Sequence, residues 1–292
     1  MKTILILGAN GMLGNSIFRF LSSNVHCNVI GTVRDLKSYS SQMNNVRNII
    51  ELNDVFDKDT LTDLIKKVDY VINCIGIIKQ KDSVDYLNCI KVNTYLPHYL
   101  ASICSDTGSR LIHFSTDCIF DGTKGNYLDD DLPDAKDLYG RSKSLGEVSY
   151  GNHLTLRTSI IGHEINSHLS LVDWFLNAKS PINGYSKAIF SGLPTREIAR
   201  FILEKIILTE KSISGLYNLS ASPISKYDLL ILINSCYQSN KSINNDVSFV
   251  IDRSLNSEKL RAAVNFYPDE WPDLISIMHE DYINLNEYRH VK

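Results

Sequence analysis

None of the six cysteines (Cys27, Cys74, Cys89, Cys104, Cys118, Cys236) sits in a CxxC pair or at a metal-ligand spacing. They read as reduced, mostly buried thiols in a cytoplasmic protein, and no metal site is expected. An excess of basic charge is also missing: 30 Lys and Arg against 33 Asp and Glu leave a formal net charge of −3. That balance gives no reason to expect a nucleic-acid or membrane partner. Long apolar runs are absent too. The first, Ile4-Leu5-Ile6-Leu7, breaks at Gly8, too short for a signal peptide, and no later run approaches membrane-spanning length. Neither internal repeats nor low-complexity linkers occur.

What is present is an ordinary globular composition, 43% hydrophobic and 22% charged over 292 residues, enough for one large domain or two interleaved ones. The most informative feature lies at the start. Gly8, Gly11 and Gly14 follow the first apolar run and open a helical pattern. Glycine allows a tight turn and close approach of backbone to a pyrophosphate, and the helix N-terminus beyond it offers free amides and a favourable dipole. A tight turn with no ligand would show the same glycines. Further on, short runs rich in Ile, Val and Leu at 3–8, 28–33, 69–75, 110–115 and 154–158 read as buried strands. Helical periodicity fills 12–23, 57–67, 84–106 and 138–149, with a kink or break expected at Pro97. Such alternation predicts an α/β fold with a doubly wound parallel sheet.

After Arg157 the rhythm changes. Residues 163–187 are irregular, a helix near 195–209 and a strand at 215–219 return to the earlier style, and helices near 225–239, 256–263 and 271–287 surround a strand near 247–251. The expected division is a dinucleotide-binding domain of residues 1–162 and 188–221. A smaller, discontinuous α/β substrate-binding lobe, 163–187 and 222–292, would lie over the carboxyl ends of the strands, where ligands of open α/β sheets bind.

Tyr139 and Lys143, four apart in a helical pattern, project from one face. A phenol with a pKa near 10 is a sluggish acid at neutral pH. An ammonium at about 4 Å, in an effective dielectric of ~20, contributes roughly 4 kcal/mol, or about three pKa units. That would bring the phenol toward the range of a proton donor to a developing alkoxide. An accidental surface pair would have the same spacing. Ser115-Thr116-Asp117 ends the strand that begins at Arg110, placing hydroxyls where a substrate carbonyl would lie. Hydroxyls that simply cap the strand end are the other reading.

These pieces, taken in order, resemble the extended short-chain dehydrogenases/reductases, and within them the dTDP-4-dehydrorhamnose reductase family. The matching residues are Ile6 to Gly14, Asn73-Cys74-Ile75-Gly76, Val92-Asn93, Ser115 to Gly122, Tyr139 to Lys143, Leu156 to Ser159 and Gly215 to Leu219. The resemblance implies a Rossmann-type sheet and a catalytic set of Thr116, Tyr139 and Lys143. Thr116 would bind the sugar carbonyl, Tyr139 would donate the proton, and Lys143 would hold the nicotinamide ribose. Gly8 and Asn10 to Gly14 would meet the pyrophosphate, with Gly11-Met12-Leu13 nearest. Asp54-Val55 would lie at the adenine, and Cys74-Ile75-Gly76 along the far ribose. Asn93 would hold the active-site helix from behind, and Asp117 would touch the sugar nucleotide. The implied reaction is NAD(P)H-dependent reduction of a C4 keto group on a nucleotide-activated 6-deoxysugar, supplying precursors of surface polysaccharide. A nucleotide-sugar epimerase and a regulatory subunit of the methionine adenosyltransferase type are the rivals, and a homodimer is one assembly the resemblance allows.

Departures fall in the sugar pocket. Ile160 stands where the family has an aromatic residue, Cys118 where tyrosine is frequent, and Gly162 to His168 differ from the usual insert. Ile160 and His163 are therefore the candidates for touching the sugar, whereas Arg157 reads as structural, pairing with a carboxylate. The second strand ends at Thr32-Val33-Arg34, with Asp35 after it. Arginine's planar fork suits a 2′-phosphate and Thr32 offers a hydroxyl, so NADPH is expected over NADH.

Overall fold

The computed structural model describes residues 1–43, 47–78, 85–165 and 169–288. Its frame is set by strands that are apolar on both faces. In β1 (Lys2–Leu7), Ile4 and Ile6 join the hydrophobic cluster on one side of the sheet, while Leu5 and Leu7 join the cluster on the other. The period-2 alternation of strand side chains thus feeds two cores, as parallel sheets covered on both faces require. All four side chains are fully buried, each contributing about 1.5–3 kcal/mol of transfer free energy.

Beside β1 lie β2 (Cys27–Val33), β3 (Ile49–Glu51), β4 (Tyr70–Asn73), β5 (Arg110–Ser115) and β6 (Leu154–Arg157). The strand Gly215–Asn218 completes a seven-stranded sheet, in the order Gly215–Asn218, β6, β5, β4, β1, β2, β3. All six neighbouring pairs are parallel, with Leu7 opposite Thr32 on one side and Asn73 on the other. The order reverses between β1 and β4, and ligands of doubly wound sheets bind outside the carboxyl ends at that point. The expected Rossmann-type fold is present. The strand β3 and the five-residue helix α2 (Leu36–Ser40) were not expected.

At Pro97 the helical pattern changes character. The helical run neither breaks nor stops: α4 (Tyr86–Ile90) passes into a π-helical turn, Lys91–Tyr95, and on into α5 (Leu96–Thr107), while position 84 lies outside the described residues. Proline has no N–H for the carbonyl four residues earlier, and the wider turn absorbs that mismatch. The carbonyl concerned is that of Asn93. Gly146 lies against it so closely that a Cβ there would come within 2.0 Å of the oxygen. The region expected as helix 138–149 is shorter, α6 (Leu138–Leu145), ending at this contact.

Beyond β6 the strands are short. Ile182–Tyr185 pairs parallel with Ile243–Asp246, and Ala188–Phe190 lies between Ile224–Ser225 and Ile251–Asp252. The single strand expected near 247–251 is thus two strands flanking that stretch. Helices Lys226–Cys236, Glu258–Val264 and Trp271–Tyr288 lie close to the expected ranges. Among the described residues, no helix is long and apolar enough to cross a membrane.

Candidate active site and cofactor cleft

At the carboxyl edge of the sheet opens a cavity of about 1020 Å³. Its floor is the glycine turn. Gly8 has φ +83°, in the region that favours glycine, and Cβ on Gly14 would sit 2.2 Å from the Gly8 oxygen. The turn is locked on both sides, by Ala9 N donating to Thr32 O and Cys74 N donating to Leu7 O. Helix α1 (Met12–Ser22) starts beyond it with no side-chain cap and no acid in its first turn, so its amides are open to an anion. Gly11 has no close neighbour on its open side. A dinucleotide fits this cradle.

The structure brings most of the expected cofactor residues together around that cavity. Gly8, Asn10 and Gly11 line it at the turn, Thr32 and Arg34 at the end of β2, Asp54 and Val55 after β3, and Cys74, Ile75 and Gly76 after β4. Leu13 and Gly14 are buried behind the turn, and Met12 opens α1. Arg34 is exposed at the cavity, whereas the Asp35 carboxylate accepts from Ser38 N at 2.8 Å and caps α2. Asn93 is 1% exposed and faces protein. Its Oδ1 accepts from Ile77 N at 2.9 Å and its Nδ2 donates to Ile77 O at 3.0 Å and Ser142 Oγ at 3.2 Å. It ties the cavity wall to α6 and touches no part of the cavity itself.

Tyr139 reaches the cavity from the start of α6, where the Asp137 carboxylate accepts from Gly140 N at 2.9 Å. Gly140 lies against the Cys118 carbonyl, drawing α6 onto the turn that carries Thr116. The Thr116 side chain acts on the Tyr139 phenol, opposing the rise that burial causes, and Thr116 Oγ1 donates to Asp117 Oδ1 at 3.1 Å. Lys143, almost fully buried, donates from Nζ to the Phe114 carbonyl at 2.6 Å. The three residues of the expected catalytic set therefore meet at the end of β5.

Their electrostatics differ from the sequence-based expectation. Burial pushes the Tyr139 phenol above its ordinary value, and Cys118, Asp117 and Asp137 add to the rise. The downward pull expected from Lys143 is not what governs it, because the ammonium is held against β5 by the Phe114 carbonyl. Burial in turn brings Lys143 down to about 8, with Glu147 and Cys74 opposing. Asp117 is raised by burial, while the Thr116 hydrogen bond and the charges of Arg253 and Lys226 pull it down.

One expected sugar contact lies elsewhere. His163 is a correction: it is 8% exposed, its Nδ1 is 2.6 Å from Asp173 Oδ1 and its Nε2 2.8 Å from the Tyr237 hydroxyl. Its ring also lies on Tyr282, 4.1 Å between centroids, so no face is left for a ligand. It is a satisfied core histidine. Ile160 is 38% exposed on a two-residue strand paired with Leu193–Pro194, outside the residues lining the cavity. Residues 166–168 of the divergent insert lie outside the described residues. Arg157 does pair with a carboxylate, placing Nε and Nη2 each 2.8 Å from the Glu147 oxygens.

Sequence reasoning missed Glu147 and Arg253. Glu147 carried a signal, its place four residues after Lys143. Arg253 carried none, since it arrives from a distant segment to donate to the Phe120 carbonyl at 2.7 Å.

Comparison with known proteins agrees with this geometry. Over 156 residues the chain is 34% identical to a probable low-salt glycan biosynthesis reductase of Haloferax volcanii, a match covering 49% of this chain and 46% of that one. It thus spans about half the length of that relative. It is 26% identical over 298 residues to a dTDP-4-dehydrorhamnose reductase of Aggregatibacter actinomycetemcomitans, covering 93% and 96% of the two chains. The fold matches that of a Bacillus anthracis dTDP-4-dehydrorhamnose reductase solved in complex with NADP, with a TM-score of 0.76, 18% identity, and coverage of 96% and 99%. A family model, the RmlD substrate binding domain, matches residues 1–271. The chain belongs to the RmlD substrate binding domain family.

Proposed function

We propose that this protein is an NADPH-dependent reductase of a keto group, at C4, on a nucleotide-activated 6-deoxysugar such as dTDP-4-dehydrorhamnose. The product would serve as a precursor of surface polysaccharide. The observation that carries the reading is the meeting of Thr116, Tyr139 and Lys143 at the end of β5, beside a cavity that opens on the glycine turn. A reduced nicotinamide held in that cavity would supply the hydride for the keto carbon. Thr116 orients the carbonyl, and Tyr139 gives its phenolic proton to the oxygen as charge builds there. A phenol raised by burial stays protonated throughout the neutral range, which is the state a proton donor needs. Lys143 would hold the ribose hydroxyls of the cofactor.

The preference for NADPH rests on the adenosine end. Arg34 is free at the cavity to meet a 2′-phosphate, while Asp35, the residue that would accept from an unmodified ribose, is engaged in capping α2. Asp117, with Arg253 and Lys226 acting on it, marks the sugar-nucleotide side. The lobe of residues 163–187 and 222–292 would close over that side. Mixing the protein with NADPH and dTDP-4-dehydrorhamnose tests the reading. Stoichiometric loss of NADPH absorbance is expected; interconversion of sugars without net loss would point to an epimerase, and no response to either would point to a regulatory subunit.

A further inference from the structure

Lys143 is a buried ammonium, and a buried charge survives only with partners. Its hydrogen bond to the Phe114 carbonyl is to a neutral acceptor. The neighbouring residue of β5 leads to the counter-charge. Ser115 Oγ donates to Glu147 Oε1 at 2.7 Å, and Arg157 grips both Glu147 oxygens at 2.8 Å. The third guanidinium nitrogen, Arg157 Nη1, donates to the Asp129 carbonyl at 2.8 Å, so the fork is fixed from behind. The Glu147 and Arg157 side chains are 8% and 5% exposed, deep enough for their charges to act with little solvent screening. The close turn at the end of α6, with Gly146 pressed on Asn93, carries Glu147 to Ser115, the residue next to the Phe114 whose carbonyl holds Lys143.

We propose that Glu147, gripped by Arg157 and Ser115, is a positioning residue for Lys143, the buried counter-charge that steadies the ammonium in the active site. The groups facing Lys143 come from every element around it: Tyr139 and Glu147 from α6 and its end, Cys74 after β4, His113 from β5, and Arg157 beyond Glu147 on β6. Burial, reinforced by the Lys143 charge itself, holds His113 far below its ordinary value, so that ring stays neutral. Burial raises the Cys74 thiol and the Tyr139 phenol, so both stay protonated where Lys143, at about 8, titrates. Glu147 is the first influence opposing burial at Lys143. Removing its charge should therefore release the proton at lower pH.

The inference rests on reading Lys143 as the residue that holds the cofactor ribose. That reading is checked first, by the pH dependence of NADPH binding, followed through nicotinamide fluorescence. The wild-type Kd should rise with pH around a midpoint near 8, and Lys143→Met should abolish the rise. A rise that survives Lys143→Met removes Lys143 from that role. Glu147→Gln should then move the midpoint down by about one pH unit or more, the range for loss of a close opposite charge. The alkaline limb of kcat/KM should move with it. Ser115→Ala, which loosens Glu147 without removing its charge, should move both in the same direction by less. A wild-type midpoint retained in Glu147→Gln, or binding weakened equally at every pH, would overturn the proposal. Should Glu147→Gln fail to fold, an unmoved midpoint in Ser115→Ala overturns it.

Discussion

The cofactor side and the proposed sugar side of this cleft are built in opposite ways. The cofactor side is made of short consecutive pieces, each at the end of a strand: Gly8 to Gly14 after β1, Thr32 to Arg34 at the end of β2, Asn73 to Gly76 at the end of β4. The proposed sugar side is assembled from afar, Asp117 being reached by charges on Lys226 and Arg253 from segments more than a hundred residues later. A parallel sheet fixes the first kind of site by backbone register alone. The second kind depends on how segments distant in sequence fold back, and His163 shows the consequence. It lies in the right stretch of sequence to meet a sugar, yet the fold uses it as a core residue between Asp173 and Tyr237.

The largest expected effect lies where the two sides meet. Tyr139→Phe removes only a hydroxyl, so the fold and NADPH binding should survive while turnover falls about 10²–10⁴-fold, the usual worth of general acid catalysis. Steady-state kinetics beside a cofactor titration checks this, and turnover within a few-fold of wild type would take Tyr139 out of the mechanism. On the cofactor side, Arg34→Ala should weaken NADPH by roughly 1.5–3 kcal/mol, the range for a hydrogen bond to a charged group, and leave NADH nearly untouched. Higher catalytic efficiency of the wild type with NADH would contradict that assignment.

On the sugar side the effects should separate into stability and affinity. His163→Ala leaves Asp173 and the Tyr237 hydroxyl without their partner and should cost about 1–3 kcal/mol in chemical denaturation. The KM for the sugar nucleotide should stay near wild type once the protein is folded. A sugar KM raised tenfold in a fully stable His163→Ala protein would return this residue to the pocket. The smallest effect is expected at Ile160, an exposed edge position: Ile160→Trp should change the sugar KM more than the cofactor KM. Equal changes in both would place Ile160 outside the sugar pocket.

The same contrast explains what was legible in the residues. The sheet could be read because β1, β4 and β5 are apolar runs whose burial leaves little choice of partner, and the glycine turn because its spacing is steric. The π-helical turn before Pro97 could not be read, because it accommodates the missing N–H with Gly146, some fifty residues on, against the freed carbonyl. Chain chemistry alone does not show such a partner. Tyr139 and Lys143 could be paired from their spacing, yet their coupling could not, since the Phe114 carbonyl that holds Lys143 belongs to another element. Arg157 read correctly as structural because an arginine inside a buried strand must find a carboxylate, which Glu147 provides.

The central claim, a hydride delivered to a sugar carbonyl as Tyr139 supplies the proton, is tested most directly by isotope transfer. The wild-type protein would be given NADPH deuterated on the transferring face of the nicotinamide, together with dTDP-4-dehydrorhamnose, and the product read by NMR. The account predicts one deuterium at C4 of the sugar for each NADPH oxidised, and none in Tyr139→Phe over the same time. Oxidation of NADPH with no deuterium at C4, or a sugar returned unlabelled with NADPH intact, would contradict it.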